Sequence, residues 1–361
     1  MKVKLLSIVL VLFLAVSFTG TKQAYSDTRN VLLEFCTGTW CQWCPCGDYT
    51  AEQLLATHPG MIVLAYHGPL NYGGDPFTNF SGSGIIGQLG FTAYPTAIID
   101  RTNSSTNFSY TMWTNAVNTE YTNNPTTPVR LVITSKDYNA STKVLTASID
   151  ATALQTISDQ YKICYVITEN GVVYTQTNNN NCTTGGANYV HKWITRNMVN
   201  GSLGENLNTG TWNQDQVITK TLNTTLDNAW IDANCQLTIF AYKDASPLYM
   251  ANIGQSILQS VTEPLGIQGT GVVPKAYSLS QNYPNPFNPT TNIKFSVPKD
   301  GNVSLKIYDA IGNVVDTYVD GFMNAGSYNA EVDASSLASG IYFYTLKAGD
   351  FVQTKKMVLI K

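Results

Sequence analysis

NVLLEFCTGTWCQWCPCGDYTAEQLLATH, residues 30–58, decides how the first part of this chain folds. A short apolar run over Val31–Phe35 reads as a buried strand, and from Pro45 onward Ala51, Leu54 and Leu55 recur at helical spacing. Cys41 and Cys44 form a C-x-x-C at the junction of the two. A thiol at a helix N-terminus faces unpaired backbone N–H groups and the positive end of the helix dipole, so its thiolate is favoured. A fall of about two units from an ordinary value of about 8.5 makes thiolate the majority form at neutral pH. Cys41 would then attack a substrate disulfide, and Cys44, one helical turn on, would resolve the mixed disulfide.

Two other fates suit the same thiols. Cys36, Cys41 and Cys44 reproduce the C-x4-C-x2-C spacing of plant-type two-iron ferredoxins, but no fourth ligand follows at a suitable distance. The four local thiols with Cys46 could form a zinc knuckle, though only by displacing the strand–CxxC–helix arrangement. A purely structural disulfide is the third reading. No cofactor and no metal is expected.

Outward from this stretch, residues 30–123 alternate strand and helix signals. GMIVLAYH and PTAIIDR are strand candidates and SYTMWTNAVNTEYTNN a closing helix, which together read as an α/β layer fold. GSGIIG at 82–87 matches a dinucleotide-binding pattern, but no strand ends before it, so it reads as a loop and short helix. His67 reads as a satisfied strand-end histidine near the site.

Trp40 before the first cysteine, and Tyr94-Pro95-Thr96 before the strand TAIID, make this segment resemble the thioredoxin superfamily. The resemblance implies a nucleophile at Cys41, a resolving thiol at Cys44 and a cis-proline at Pro95. It also puts Glu34 near the position of a buried carboxylate that relays protons to the resolving cysteine. Gln42-Trp43 between the cysteines, and the additional Cys36 and Cys46, depart from the superfamily pattern.

Beyond Val129 the text changes to VRLVITS, KVLTASIDAT, YKICYVITE, DQVITKTL and CQLTIFAYKD, separated by turn residues, the signature of an antiparallel sandwich. The excursion at 176–210 interrupts it, and a loop of that size is usually functional or flexible. His191, Lys192 and Trp193 lie in it and read as a loop anchor or ligand surface. Seven cysteines in an oxidising compartment allow three disulfides and one free thiol; Cys164 and Cys235 are candidates to bridge the sandwich, with Cys182 able to take either.

EFCTGTWCQWCP, HKWITRNMVNGSLGENL and CQLTIFAYKDASPLYMANIGQSI together resemble the outer membrane protein 28-related family of Bacteroidetes-type bacteria. That family implies a thioredoxin-like domain joined to a β-sandwich at the cell envelope. After the Gly/Pro-rich TEPLGIQGTGVVPK, the last segment carries YPNPFNPTTNIKFSVP, VSLKIYDAIGNVV, SGIYFYTLKAGD and TKKMVLIK. In that order they resemble the type A sorting domain of the type IX secretion system, which implies delivery by that translocon to the cell surface or the medium.

The first residues fit export. Lys2 and Lys4 precede an apolar run from Leu5 to Val16, with small residues placed for cleavage after Ser17 or Ser26. No later run spans a membrane, so no transmembrane span is expected in the mature chain. Charged residues are only 12% of the chain and the net charge is −3, which removes the basic footprint of a nucleic-acid binder.

The expected fold is therefore an α/β thioredoxin-like domain followed by two all-β sandwich domains. The expected boundaries are a signal peptide at 1–26, the thioredoxin-like domain at 27–126, a β-sandwich at 127–262, a linker at 263–275 and the sorting domain at 276–361. The expected function is thiol–disulfide exchange on extracytoplasmic proteins, with Cys41 and Cys44 supported by Trp40, Pro95 and Glu34. The alternative is a non-enzymatic surface or binding protein with a structural Cys41–Cys44 bridge.

Overall fold

Every residue of β1 (Leu32–Thr37) is buried, as a central strand covered on both faces requires. It leads into α1 (Cys44–Thr57), β2 (Ile62–His67), the short α2 (Ile85–Gln88), β3 (Thr96–Ile99) and α3 (Tyr110–Asn123). β2 pairs with β1 in parallel and β3 pairs with it antiparallel. The computed structural model describes residues 28–361 apart from 59, 69–74, 103–108, 179–181, 183–184, 263–266, 270–273, 300 and 324–325. The expected signal peptide and most of the linker lie outside the described residues.

The strands β4 (Val129–Asn139), β5 (Val144–Ala153), β6 (Tyr161–Glu169), β7 (Val172–Gln176), β8 (Gly186–His191), β9 (Ile194–Met198), β10 (Glu205–Asn206), β11 (Val217–Thr225), β12 (Cys235–Lys243) and β13 (Asn252–Ser260) follow. Their main sheet does not stop at the expected boundary near residue 127. It runs β13-β12-β6-β9-β2-β1-β3, with β10 paired to β6, and β9 supplies the junction. Ala65 on β2 pairs in parallel with Ile194, and its N–H donates to Trp193 O at 3.0 Å. ITRNM, read as part of a loop, is thus a strand in the middle of the sheet.

Alternation along β1 sorts the layers. Leu33 and Phe35 pack with Ala51 and Leu54 of α1 and with Trp113 and Val117 of α3. Leu32 and Cys36 point to the other face, which continues through Tyr66, Val166 and Phe240 to the two isoleucines of α2. Over β6 and β12 the face that carries α1 and α3 elsewhere is covered by the three-stranded sheet β11-β5-β4, whose Leu145, Ile149 and Leu222 meet Ile163, Leu237 and Ile239.

β14 (Ile267–Gly269), β15 (Ser278–Leu279), β16 (Thr290–Val297), β17 (Gly301–Tyr308), β18 (Val314–Met323), β19 (Gly326–Asp333), β20 (Gly340–Ala348) and β21 (Phe351–Leu359) complete the chain. They form two four-stranded sheets, β14-β19-β16-β15 and β18-β17-β20-β21. Ile293, Phe295, Leu305, Tyr344 and Met357 share a core there that is distinct from those upstream. The protein is mostly β, with several sheets.

Candidate functional site

Cys41 and Cys44 are joined as a disulfide, and Cys44 is the first residue of α1. The loop is fixed locally: Cys41 N donates to Gly38 O at 3.0 Å, Cys44 N to Cys41 O at 3.2 Å and Cys46 N to Trp43 O at 3.0 Å. The start of α1 has no side-chain cap and no acidic residue in its first turn, so its positive end is not neutralised from within the helix. Trp40 packs edge-on against Tyr94 with ring centroids 5.2 Å apart. The Tyr94–Pro95 peptide is cis, and a Cβ on Gly47 of α1 would lie 3.1 Å from Pro95 Cβ and 2.9 Å from the Trp113 ring. Glycine is what lets α1 approach the proline this closely.

The site is covered. Cys41 is 4% exposed and Cys44 is fully buried, and the β7–β8 hairpin is bonded to the loop that carries them. Gln176 Nε2 donates to Gly38 O at 3.2 Å and to Cys41 O at 2.9 Å, and Thr177 N donates to Thr39 O at 2.8 Å. Tyr189 donates to Asp48 Oδ2 at 2.6 Å, and Lys192 pairs with Glu52 at 2.9 Å. A second disulfide, Cys46–Cys182, ties the β7–β8 connection to the first turn of α1. Burial pushes the Asp48 carboxyl up to about 6, against the lowering effect of the Tyr189 hydrogen bond.

Beneath the loop, Asp75 accepts from Thr39 N, Phe77 N and His67 Nδ1, each at 2.8 Å. Burial acts to raise the Asp75 carboxyl, but the His67 contact and the two backbone donors outweigh it and hold it below the ordinary range. His191 packs at 5.6 Å from the His67 ring and 4.9 Å from Tyr189. Its Nε2 is buried without a hydrogen-bond partner among the described residues. Burial first, and then the neighbouring His67, bring His191 down to about 4. The histidines of the strand end and the excursion therefore meet behind the CxxC loop, a meeting that single positions in the sequence do not disclose.

Of the sequence-predicted residues, Cys41, Cys44, Trp40 and Pro95 gather at the head of α1. Glu34 does not. Its carboxylate accepts from Arg101 Nε and Nη2, both at 2.8 Å, and from Tyr66 Oη at 2.7 Å, on the face opposite α1. Strand alternation turns it away from Cys44, so the expected relay role is replaced by neutralisation of a buried guanidinium, which itself lies over Phe240 and Tyr242.

The remaining thiols also depart from expectation. Cys36 shares Glu34's face and is a buried free thiol, pushed up to about 12 by burial. Cys164 and Cys235 are buried free thiols and do not bridge the sandwich, and Cys182 takes Cys46. The four thiols of the conceivable metal set are thus dispersed between two disulfides and an opposite layer. Among the described residues no group of three or more His, Cys, Asp or Glu side chains is arranged to hold a metal ion, and no helix is long and apolar enough to cross a membrane.

A strand–disulfide–helix unit is set into a larger β-rich body and followed by a two-sheet tail with its own core, and the two disulfides suit an oxidising compartment outside the cytoplasm. Residues 281–361 match the secretion system C-terminal sorting domain, and residues 84–260 match the outer membrane protein Omp28 family. The chain is an Omp28-related protein with a secretion sorting tail, and it is exported to the cell surface or outer membrane. Neither match includes the CxxC, which precedes both. No curated protein matches the chain. Among solved structures, HBP35 of Porphyromonas gingivalis is similar at a TM-score of 0.53 and 17% identity, over 93% of this chain and 99% of that one; this likeness concerns the fold alone. Dimeric latent PorU from the same organism (TM-score 0.20, 14% identity, 64% of this chain and 20% of that one) and Spo0M, a sporulation control protein from Bacillus subtilis (0.23, 8%, 64% and 89%), are too distant to carry an argument.

Proposed function

We propose that this protein is a surface-delivered thiol–disulfide exchange module of thioredoxin-like build, with Cys41 as nucleophile and Cys44 as resolving thiol, kept covered by the β7–β8 hairpin. The observation that carries the reading is a disulfide closing across three residues at an uncapped helix start. Such a short bridge contributes little as a staple. On chain-entropy grounds it is worth about 2 kcal/mol, against about 5 kcal/mol for a bridge that spans well over a hundred residues. The fold already has the latter in Cys46–Cys182, with a separation of 136. When the short bridge is reduced, the positive end of the α1 dipole favours a Cys41 thiolate, and Trp40 and Pro95 shape the surface a client disulfide would meet. Extracytoplasmic proteins with disulfides are the substrate class, and the sorting tail at 276–361 is the element read by the type IX translocon.

The burial of both sulfurs favours a second reading, a permanent bridge in a binding protein. The two are separated by Cys44→Ser. With the resolving thiol gone, Cys41 should accumulate mixed disulfides with client proteins, seen as thiol-sensitive adducts by non-reducing electrophoresis and mass spectrometry. Absence of adducts, with the chain folded and Cys41 reduced, would leave the permanent bridge.

A further inference from the structure

The two disulfides differ in access, and in the opposite sense to what their spacing implies. Cys41–Cys44 is beneath the hairpin. Cys46–Cys182 lines an open groove of about 490 Å³ between α1 and α3, walled by Tyr49, Tyr110, Thr111 and Thr114. Cys182 is partly exposed there, and Tyr49 is 47% exposed. We propose that Cys46–Cys182 is a second thiol-exchange site, the one an external protein dithiol reaches first, and that opening it uncovers Cys41–Cys44.

Groove chemistry, leaving group and mechanics agree. Tyrosine faces and threonine hydroxyls suit an extended peptide segment carrying a cysteine, which offers apolar side chains and backbone polar groups together. Attack from the groove falls on Cys182, the partly exposed partner of the fully buried Cys46, and expels Cys46. Cys46 is the third residue of α1, so its thiolate departs into the positive end of the helix, and a better-stabilised thiolate leaves faster. With the one covalent tie gone, what still holds the hairpin over the motif is a set of hydrogen bonds, the packing of Tyr174 and His191 on Phe77 and His67, and one exposed ion pair, Lys192–Glu52, worth on the order of 1 kcal/mol or less.

The exchange balances. A partner thiolate forms a sulfur–sulfur bond to Cys182 as the Cys182–Cys46 bond breaks, and Cys46 leaves as thiolate. The partner's second thiolate then attacks its own sulfur in the mixed disulfide and releases Cys182. The partner ends as a disulfide, two electrons pass to the Cys46–Cys182 pair, and the partner's protons end on the two freed sulfurs or in solvent.

This rests on Cys41–Cys44 being an exchange site, and the test keeps the two claims apart. The full mature protein is treated with limiting reduced thioredoxin as the protein dithiol, or with glutathione, quenched with an alkylating reagent over time, and each cysteine pair quantified by peptide mass spectrometry. With thioredoxin, Cys46–Cys182 should open first, by about tenfold or more in rate, and faster than with glutathione at equal thiol. In Cys46→Ala/Cys182→Ala, Cys41–Cys44 should then reduce about tenfold faster than in the parent. Opening of Cys41–Cys44 first in the unaltered chain, which needs no variant to fold, overturns the proposal, as does equal opening by both reductants. If the order holds but Cys44→Ser captures no client, the latch stands and the exchange function falls.

Discussion

Glu34 carries a charge in a fully buried position because Arg101 meets it through two nitrogens and Tyr66 donates to it as well. Removing one side of such a pair leaves the other charge buried alone, so Glu34→Gln should lower stability by about 3 to 5 kcal/mol in denaturant unfolding. It should leave the reduction rate of Cys41–Cys44 unchanged once folded; a proton relay would do the reverse. His191 gives a pH signature. Its value falls from 6.5 to about 4 on folding, so between those values the unfolded chain binds more protons and stability rises with pH. The advantage of the parent over His191→Phe should therefore grow from pH 4 to 6.5, by on the order of 3 kcal/mol at most, and stay level above it. Asp48, raised to about 6, acts in the opposite sense over most of that window, which is why the difference between parent and variant is the quantity to follow. At this scale the sequence is legible where a motif is local. Trp40, Cys41 and Cys44 sit together in the text and in space. The fate of Cys46 is not legible, because its partner is 136 residues away and pairing is a property of tertiary structure. The resemblance puts Glu34 near the site, but strand alternation decides the face and turns it to Arg101 and Tyr66.

Among the elements, the β7–β8 hairpin is the one whose role depends most on contacts outside itself. Gln176 Nε2 reaches two carbonyls of the CxxC loop, and its side chain is buried while doing so. Gln176→Ala should strip those donors, cost about 1 to 3 kcal/mol locally and speed reduction of Cys41–Cys44 several-fold, read by time-resolved alkylation. An unchanged rate would mean the hairpin is not what covers the bridge. Strands β1, β2 and β3 and helices α1 and α3 all carry unbroken apolar or periodic runs and are readable from the sequence. β8 and β9 are not: GANYVH and ITRNM are short, polar and enclosed by turn residues. What makes ITRNM a strand is the empty place between β2 and β6, filled by backbone hydrogen bonds whatever the side chains.

For the whole molecule, the expected division near residue 127 is replaced by one sheet shared between the helix-bearing half and the sandwich half. Arg29 near the start of the described chain reinforces this, pairing with Glu120 at 2.6 Å and donating to Ile253 O at 2.6 Å. The C-terminal sandwich, in contrast, keeps a core of its own, as its self-contained pattern of alternation implies. A chain ending at residue 275 should therefore fold with both disulfides formed yet remain in the periplasm of a host competent for type IX secretion, scored by fractionation and immunoblot. The central claim is that the bridge at the head of α1 is an exchange centre under cover. Its reduction potential, measured by equilibrating the full mature protein against graded dithiol buffers and quantifying the alkylated Cys41 and Cys44 peptides, tests this most directly. A potential above about −300 mV, within reach of cellular dithiol carriers, is the predicted result; one below that, where structural disulfides lie, would contradict the account.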